Sequence, residues 1–227
     1  MRLIITGCEY TGKTTLANGI AKWIEETLGP PIPQGMPPFH DHFTFPDIAH
    51  GELTEEEYEQ VRALSPRLKA MIQNHQILYH MNPAFYADHD NIMVGFHIED
   101  AVYGPLYYGY GDDGSRSAIA RSIENHIMEV ARDTVLILLK ASPETISKRL
   151  KESPHPLGVL REQDIEHVLA RFAEECASST LRYRLTYDTS ETSIDETLQQ
   201  FAKDIGPHLS ERDRSRLLAH RALRDQG

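Results

Sequence analysis

Eight consecutive residues, Gly7-Cys8-Glu9-Tyr10-Thr11-Gly12-Lys13-Thr14, set two glycines at a fixed spacing before a lysine and a hydroxyl. This pattern, G-x-x-x-x-G-K-[ST], is suited to holding phosphate. Glycines let the backbone curl until successive N–H groups converge on one anion. A helix starting at Lys13 would add its free N–H groups and the positive end of its dipole. Lys13 would reach the β- and γ-phosphates of a nucleotide, and the Thr14 hydroxyl would ligate Mg²⁺. Gly7, Thr11, Gly12, Lys13, Thr14 and Thr15 are therefore the expected ATP-binding residues, with ATP and Mg²⁺ as cofactors.

Four further groups of residues could do chemistry. His40-Asp41-His42-Phe43-Thr44-Phe45-Pro46 follows a loop and is expected at the end of a strand, where it would face the phosphate loop. Two histidines and an aspartate also suggest a metal, yet side chains alternate along a strand and no third ligand is apparent. The same segment reads equally as a polar loop anchored by Phe43 and Phe45. Glu99-Asp100 is expected at the end of a buried strand, where an acid can hold Mg²⁺ through water. Paired acids there also suit the start of a helix. Tyr103, Tyr107, Tyr108 and Tyr110 share a glycine-rich stretch and could stack on a base or simply cover the end of the sheet. Arg116 could reach an anionic acceptor from the helix that follows.

These residues need elements to position them. Arg2-Leu3-Ile4-Ile5-Thr6 reads as a buried strand ending at glycine, and Leu16, Ile20, Trp23, Ile24 and Leu28 fall on one face of a helix. Residues 29–40 hold five prolines and form a loop, with a short strand entering at Phe39. Thr54 and Ser65-Pro66 open two helices. Asn91 to Ile98 reads as a second buried strand, Tyr103 to Gly114 as a loop, and Thr134 to Leu139 as a third strand. Ser142-Pro143 and Asp164 start helices on either side of a Pro/Gly loop. Leu185 to Asp188 is a last strand, followed by the capping box Ser193-Ile194-Asp195-Glu196. Strands alternate with helices and no tight hairpin joins them. The expected class is α/β, a mostly parallel sheet with helices on both faces.

With 23 basic and 34 acidic residues the net charge of the 227-residue chain is −11. No broad basic face is present, so nucleic acid is not expected as the main partner. No apolar run is long enough to span a membrane. Two cysteines and no signal-like start point to a cytoplasmic protein.

The run Ile4 to Thr15 resembles the phosphate loop of thymidylate kinases and related nucleoside and nucleotide kinases. The resemblance implies a P-loop kinase fold with about five parallel strands over residues 1–207, a lid at about 148–161, and an appended charged helix over 208–227. It implies that Glu9, the acidic third residue of the loop, lies near the acceptor's sugar. The Asp41-His42-Phe43 stretch is similar to the Asp-x-Phe segment of uridine kinases, which implies Asp41 as the general base and Phe43 beside the acceptor. Arg149 falls where the lid arginine of the family stands, and would steady the transferring phosphoryl group. Thymidylate kinases carry Asp-Arg-Tyr where this chain has Asp100-Ala101-Val102-Tyr103. The arginine that serves an acceptor phosphate is thus missing.

The expected function is Mg·ATP-dependent phosphotransfer to a nucleoside or nucleoside monophosphate. Lys13, Asp41 and Arg149 would be catalytic, Thr14 with Glu99 or Asp100 would hold the metal, and Glu9, Asp41, Phe43, Tyr103, Tyr107 and Arg116 would contact the acceptor. A kinase of another small-molecule hydroxyl and a nucleotide-binding ATPase or regulator stay open, as does a homodimer. A regulatory GTPase would need an Asn-Lys-x-Asp segment, which the chain lacks.

Overall fold

The computed structural model describes residues 1–29, 53–81, 86, 90–111, 114–155 and 158–224. Four strands, β1 (Arg2–Thr6), β2 (Asn91–Val94), β3 (Val135–Lys140) and β4 (Tyr183–Asp188), form a parallel sheet in the order β2-β1-β3-β4. The expected strand near Phe39 lies outside the described residues, so the four strands seen compare with about five anticipated.

Alternation along the central strands sorts the core into two layers, because successive side chains point to opposite faces. Leu3, Ile5, Val135, Ile137 and Leu139 pack with Leu16, Ile20 and Ile24 of α1 (Lys13–Leu28) and with Phe201 of α8 (Ile194–Asp204). Ile4, Leu136 and Leu138 pack on the other face with Ile98, Val102, Ile127 and Phe172. Those residues come from α4 (Phe96–Tyr103), α5 (Ser115–Val130) and α7 (Ile165–Ala177). The remaining helices are α2 (Glu55–Ala63), α3 (Pro66–Met81), α6 (Pro143–Glu152) and α9 (Glu211–Arg224). The expected C-terminal element is α9. It is capped by Ser210 and tied to the end of α1 by Arg216 Nη2 donating to Gly29 O at 3.1 Å. Among the described residues no helix is long and apolar enough to cross a membrane.

Two elements differ from expectation. The strand predicted over 91–98 stops at Val94, where Gly95 (φ +79°) and Phe96 (φ +54°) turn the chain directly into α4. The run Phe96-His97-Ile98 is apolar enough for a strand, but all eight residues of α4 are buried, so the pattern cannot separate the two. The stretch expected as a tyrosine-rich loop starts inside α4 and continues as a π-helical turn, Gly104–Tyr108. Its tyrosines are structural because a phenol can be buried once its hydroxyl has a partner. Helix α3 turns Lys69, Gln73, Gln76 and His80 inward beside Ile77 and Met81, and leaves Leu68, Met71, Leu78 and Tyr79 exposed.

Helix α4 carries the acids of the candidate site, and a buried carboxylate on α5 fixes it. Glu124 is fully buried and accepts from His97 Nε2 at 3.0 Å, Ser179 Oγ at 2.8 Å and Thr180 N at 2.7 Å. Burial alone would push its carboxyl up, but these donors outweigh burial and hold it below the usual carboxylate range. A carboxyl depressed on folding stabilises the native state above its unfolded pKa, and that contribution is lost as pH falls through the folded value. Glu124→Gln is therefore expected to be less stable than wild type at pH 7 and to lose less stability between about pH 5 and pH 3. Urea unfolding across that range checks this, and an unchanged pH slope would refute it.

Candidate active site

The sheet order places the loop after β1 at the switch between β1, β2 and β3, on the carboxyl ends of the strands, where open α/β sheets bind ligands. Two glycines shape that loop. Gly7 has φ +148°, and a Cβ there would lie 2.4 Å from the Leu139 carbonyl oxygen. Gly12 at φ +88° leads into the first turn of α1. The Thr11 hydroxyl closes the curl by donating to Cys8 O at 2.8 Å. Cys8 packs beneath as an apolar group, since burial pushes its thiol up to about 12.

Lys13 is buried, and its Nζ donates to Gly7 O at 2.7 Å and Cys8 O at 3.2 Å. A carboxylate oxygen of Glu99 lies 3.4 Å from the same nitrogen. Thr14 and Thr15, the next residues of α1, are exposed. The loop thus gathers a buried ammonium, one acid and two hydroxyls at the amino end of a 16-residue helix.

The two adjacent acids diverge because successive helix residues sit about 100° apart. Glu99 faces Lys13, and it needs Gly95 to do so: a Cβ at Gly95 would lie 2.5 Å from Glu99 Oε2. Asp100 faces the other way. It accepts from Tyr110 Oη at 2.8 Å and from Arg116 Nε at 2.8 Å, and Arg116 Nη2 also donates to it. Arg116 in turn donates to Asn74 Oδ1 at 2.8 Å and lies 5.1 Å from the Tyr110 ring centre. Expected as alternative metal ligands, the acids therefore separate into one at the phosphate loop and one in a buried ion pair. Arg116 was expected to meet an anionic acceptor, and it meets Asp100 instead.

The tyrosines expected around the acceptor support the loop and the segment beside it. Tyr103 is fully buried, its ring edge-on to Phe172, and its hydroxyl accepts from the Glu9 amide at 2.9 Å. Tyr107 is half-buried and donates to Asp164 Oδ2 at 3.1 Å, with the Arg161 guanidinium 5.8 Å from its ring centre. Glu9 accepts from Val159 N at 3.1 Å and Leu160 N at 3.4 Å. Arg149 reaches from α6 to Tyr10 O at 2.9 Å and Thr189 O at 2.6 Å. Asp41 and Phe43 lie outside the described residues.

Thr189 is the residue that sequence reading overlooked. Its hydroxyl donates to Thr11 O at 3.0 Å and to Lys140 O at 3.1 Å, joining the phosphate loop to the end of β3. The available signal was its place one residue beyond the last strand, at the carboxyl edge where sites form. Among the described residues no group of three or more His, Cys, Asp or Glu could hold a metal.

No protein-family profile and no curated protein sequence matches the chain. Solved structures do. YorR from Bacillus subtilis, in complex with phosphorylated GDP, is 19% identical over 92% of this chain and 99% of that one, with a TM-score of 0.53. Deoxyadenosine kinase from M. mycoides with bound dCTP is 14% identical over 91% and 100%, with a TM-score of 0.53. The same enzyme with bound dATP aligns over 90% and 99% with a TM-score of 0.51. The chain has the P-loop kinase fold. Within that fold, α4 carries at successive positions the acid facing the loop lysine and the acid paired with Arg116.

The buried pair in this P-loop kinase fold has a measurable consequence. Removing one partner strands the other charge in the interior, which typically costs about 3–5 kcal/mol. Asp100→Ala should be destabilised by about that much, and Asp100→Leu combined with Arg116→Met should recover most of it. Chemical denaturation of both variants checks this. A single variant within about 0.5 kcal/mol of wild type would contradict the pair's structural role.

Proposed function

We propose that this chain is a Mg·ATP-dependent phosphotransferase that acts on a nucleoside or nucleoside monophosphate, with a nucleoside as the favoured acceptor. The observation that carries the reading is the Lys13 ammonium, buried inside the curled loop with Glu99 3.4 Å away. The donor set fits a nucleotide triphosphate. Loop and first-turn amides, an ammonium and two exposed hydroxyls are what a polyphosphate takes. Thr14 and Glu99 offer the hard oxygen ligands that magnesium prefers. When bound, the ion would neutralise charge on the β- and γ-phosphates.

The chain's own residues supply the rest. The loop amides and Lys13 hold the phosphates in place, so that binding also orients the group to be transferred. Lys13 exchanges its bonds to Gly7 O and Cys8 O for bonds to phosphate oxygens, while Glu99 keeps the ammonium pointed into the loop. Arg149, through Tyr10 O and Thr189 O, braces the loop rather than reaching the transferring group directly. Asp41 is carried as the acceptor's general base from the sequence alone.

Two observations support a neutral acceptor. The charge of Arg116 is matched by Asp100, so it is not held in reserve for an acceptor phosphate. The likeness in fold to a deoxyadenosine kinase points toward a nucleoside.

Purified protein with Mg·ATP and a panel of nucleosides, monophosphates and sugar alcohols, scored by product mass, tests the reading. A phosphorylated nucleoside is the expected product, and ADP without any phosphorylated product would defeat it. Lys13→Ala should abolish transfer, and wild-type turnover in that variant would end the kinase reading. Asp41→Asn should lower kcat by about 10²-fold or more. Retained activity there would remove Asp41 as the base and favour an acceptor whose attacking oxygen is already ionised.

A further inference from the structure

The third and fourth residues of the phosphate loop grip the backbone of a distant segment. This segment runs from the end of α6 at Glu152 to the 3-10 turn Glu162–Asp164. The Glu9 carboxylate accepts from two successive amides, Val159 N at 3.1 Å and Leu160 N at 3.4 Å. Next to it, the Tyr10 hydroxyl accepts from His155 N at 3.0 Å. Tyr10 stands at φ +66°, a conformation a side-chain-bearing residue rarely adopts. Such strain persists only where surrounding structure enforces it. Here Arg149, in the last turn of α6 just before the segment, enforces it from the carbonyl side through its bond to Tyr10 O.

The segment is shaped to receive these two side chains. Gly158 lies between the gripped amides, and a Cβ there would come within 3.0 Å of Glu9 Oε2 and 3.3 Å of Tyr10 Oη. Its φ is not in the left-handed region, so an alanine would meet no backbone penalty. What glycine contributes at this position is close approach, since an added Cβ would make Glu9 and Tyr10 give way.

We propose that Glu9 and Tyr10 are positioning residues that latch His155 and residues 158–160 to the phosphate loop, so that the loop sets where these residues lie. Glu9 would then hold these residues rather than the acceptor's sugar. The proposal rests on the phosphotransferase reading for its meaning in turnover, but the latch is measurable without nucleotide or acceptor. A carboxylate accepting two amides holds them well against solvent, because hydrogen bonds to charged groups are the stronger ones.

The test is amide hydrogen exchange on the full chain, free of ligand, with urea unfolding as a control. In Glu9→Ala the amides of Val159 and Leu160 should exchange about tenfold faster or more, while those of β1 and β3 are unchanged. Glu9→Gln keeps one acceptor oxygen and should fall between. Gly158→Ala should release the same amides from the opposite side, and Tyr10→Phe should release His155. Unchanged exchange at 159 and 160 in Glu9→Gln and Gly158→Ala would overturn the latch.

Turnover then separates the two readings. If the panel yields a phosphorylated product, Glu9→Gln should lower its kcat while KM for Mg·ATP stays within about twofold, since the phosphate-binding amides are untouched. An unaltered kcat beside released amides would overturn the positioning role. If no phosphorylated product forms from any acceptor, the phosphotransferase reading fails, and the exchange data still decide the latch.

Discussion

A lysine ammonium buried where three strands end must be surrounded by oxygen, and the structure around the loop answers that need. Burying a charge is tolerable only when partners replace its water. Lys13 finds two carbonyl oxygens of its own loop and the carboxylate of Glu99. The carbonyls are reachable because the backbone curls at Gly7 and Gly12. The carboxylate is reachable because β2 stops early and turns straight into α4. Under the proposed function these partners are replaceable: an arriving polyphosphate would offer the same ammonium a stronger set of anionic oxygens. A loop that satisfies its lysine internally is thereby kept folded and ready.

Helix α4 has eight residues, all buried, and each polar one faces a different neighbour. His97 meets Glu124 of α5, Glu99 meets Lys13, Asp100 meets Arg116, and the Tyr103 hydroxyl meets the Glu9 amide. A helix fastened on every side cannot rotate, so the carboxylate near the phosphate loop is fixed to the extent that the other three contacts hold. The surrounding network does this by position, through groups that need not touch a ligand. The same division of labour recurs at Thr189 and Arg149, which hold the loop by its carbonyls.

The phosphate loop was legible in the sequence because its constraints are local: glycines, lysine and hydroxyl act within eight neighbouring residues, and the flanking strand and helix show clear periods. The parallel sheet was legible from alternation of elements. What failed depended on contacts distant in sequence. Nothing near Asp100 shows that Arg116 will neutralise it, and nothing near Arg149 points to Tyr10 and Thr189. The end of β2 was missed because an apolar run buried on all sides has no distinguishing period. The inward face of α3 was hidden because it mixes Ile77 and Met81 with Lys69, Gln73, Gln76 and His80, so no apolar stripe marks it. Tyr103 and Tyr107 looked available because tyrosine is amphipathic, and only the partners of their hydroxyls show that both are engaged.

The close approach at Gly95 makes two positions into one. A carboxylate oxygen at position 99 occupies the space that any side chain at 95 would need, so neither residue can be chosen independently of the other. A side chain at 95 could enter only where the acid at 99 had shifted or gone, and it would still meet a φ of +79°. A bulkier residue at 95 would displace the acid that faces Lys13, so the turn after β2 and the charge beside the loop lysine form a single feature of the chain.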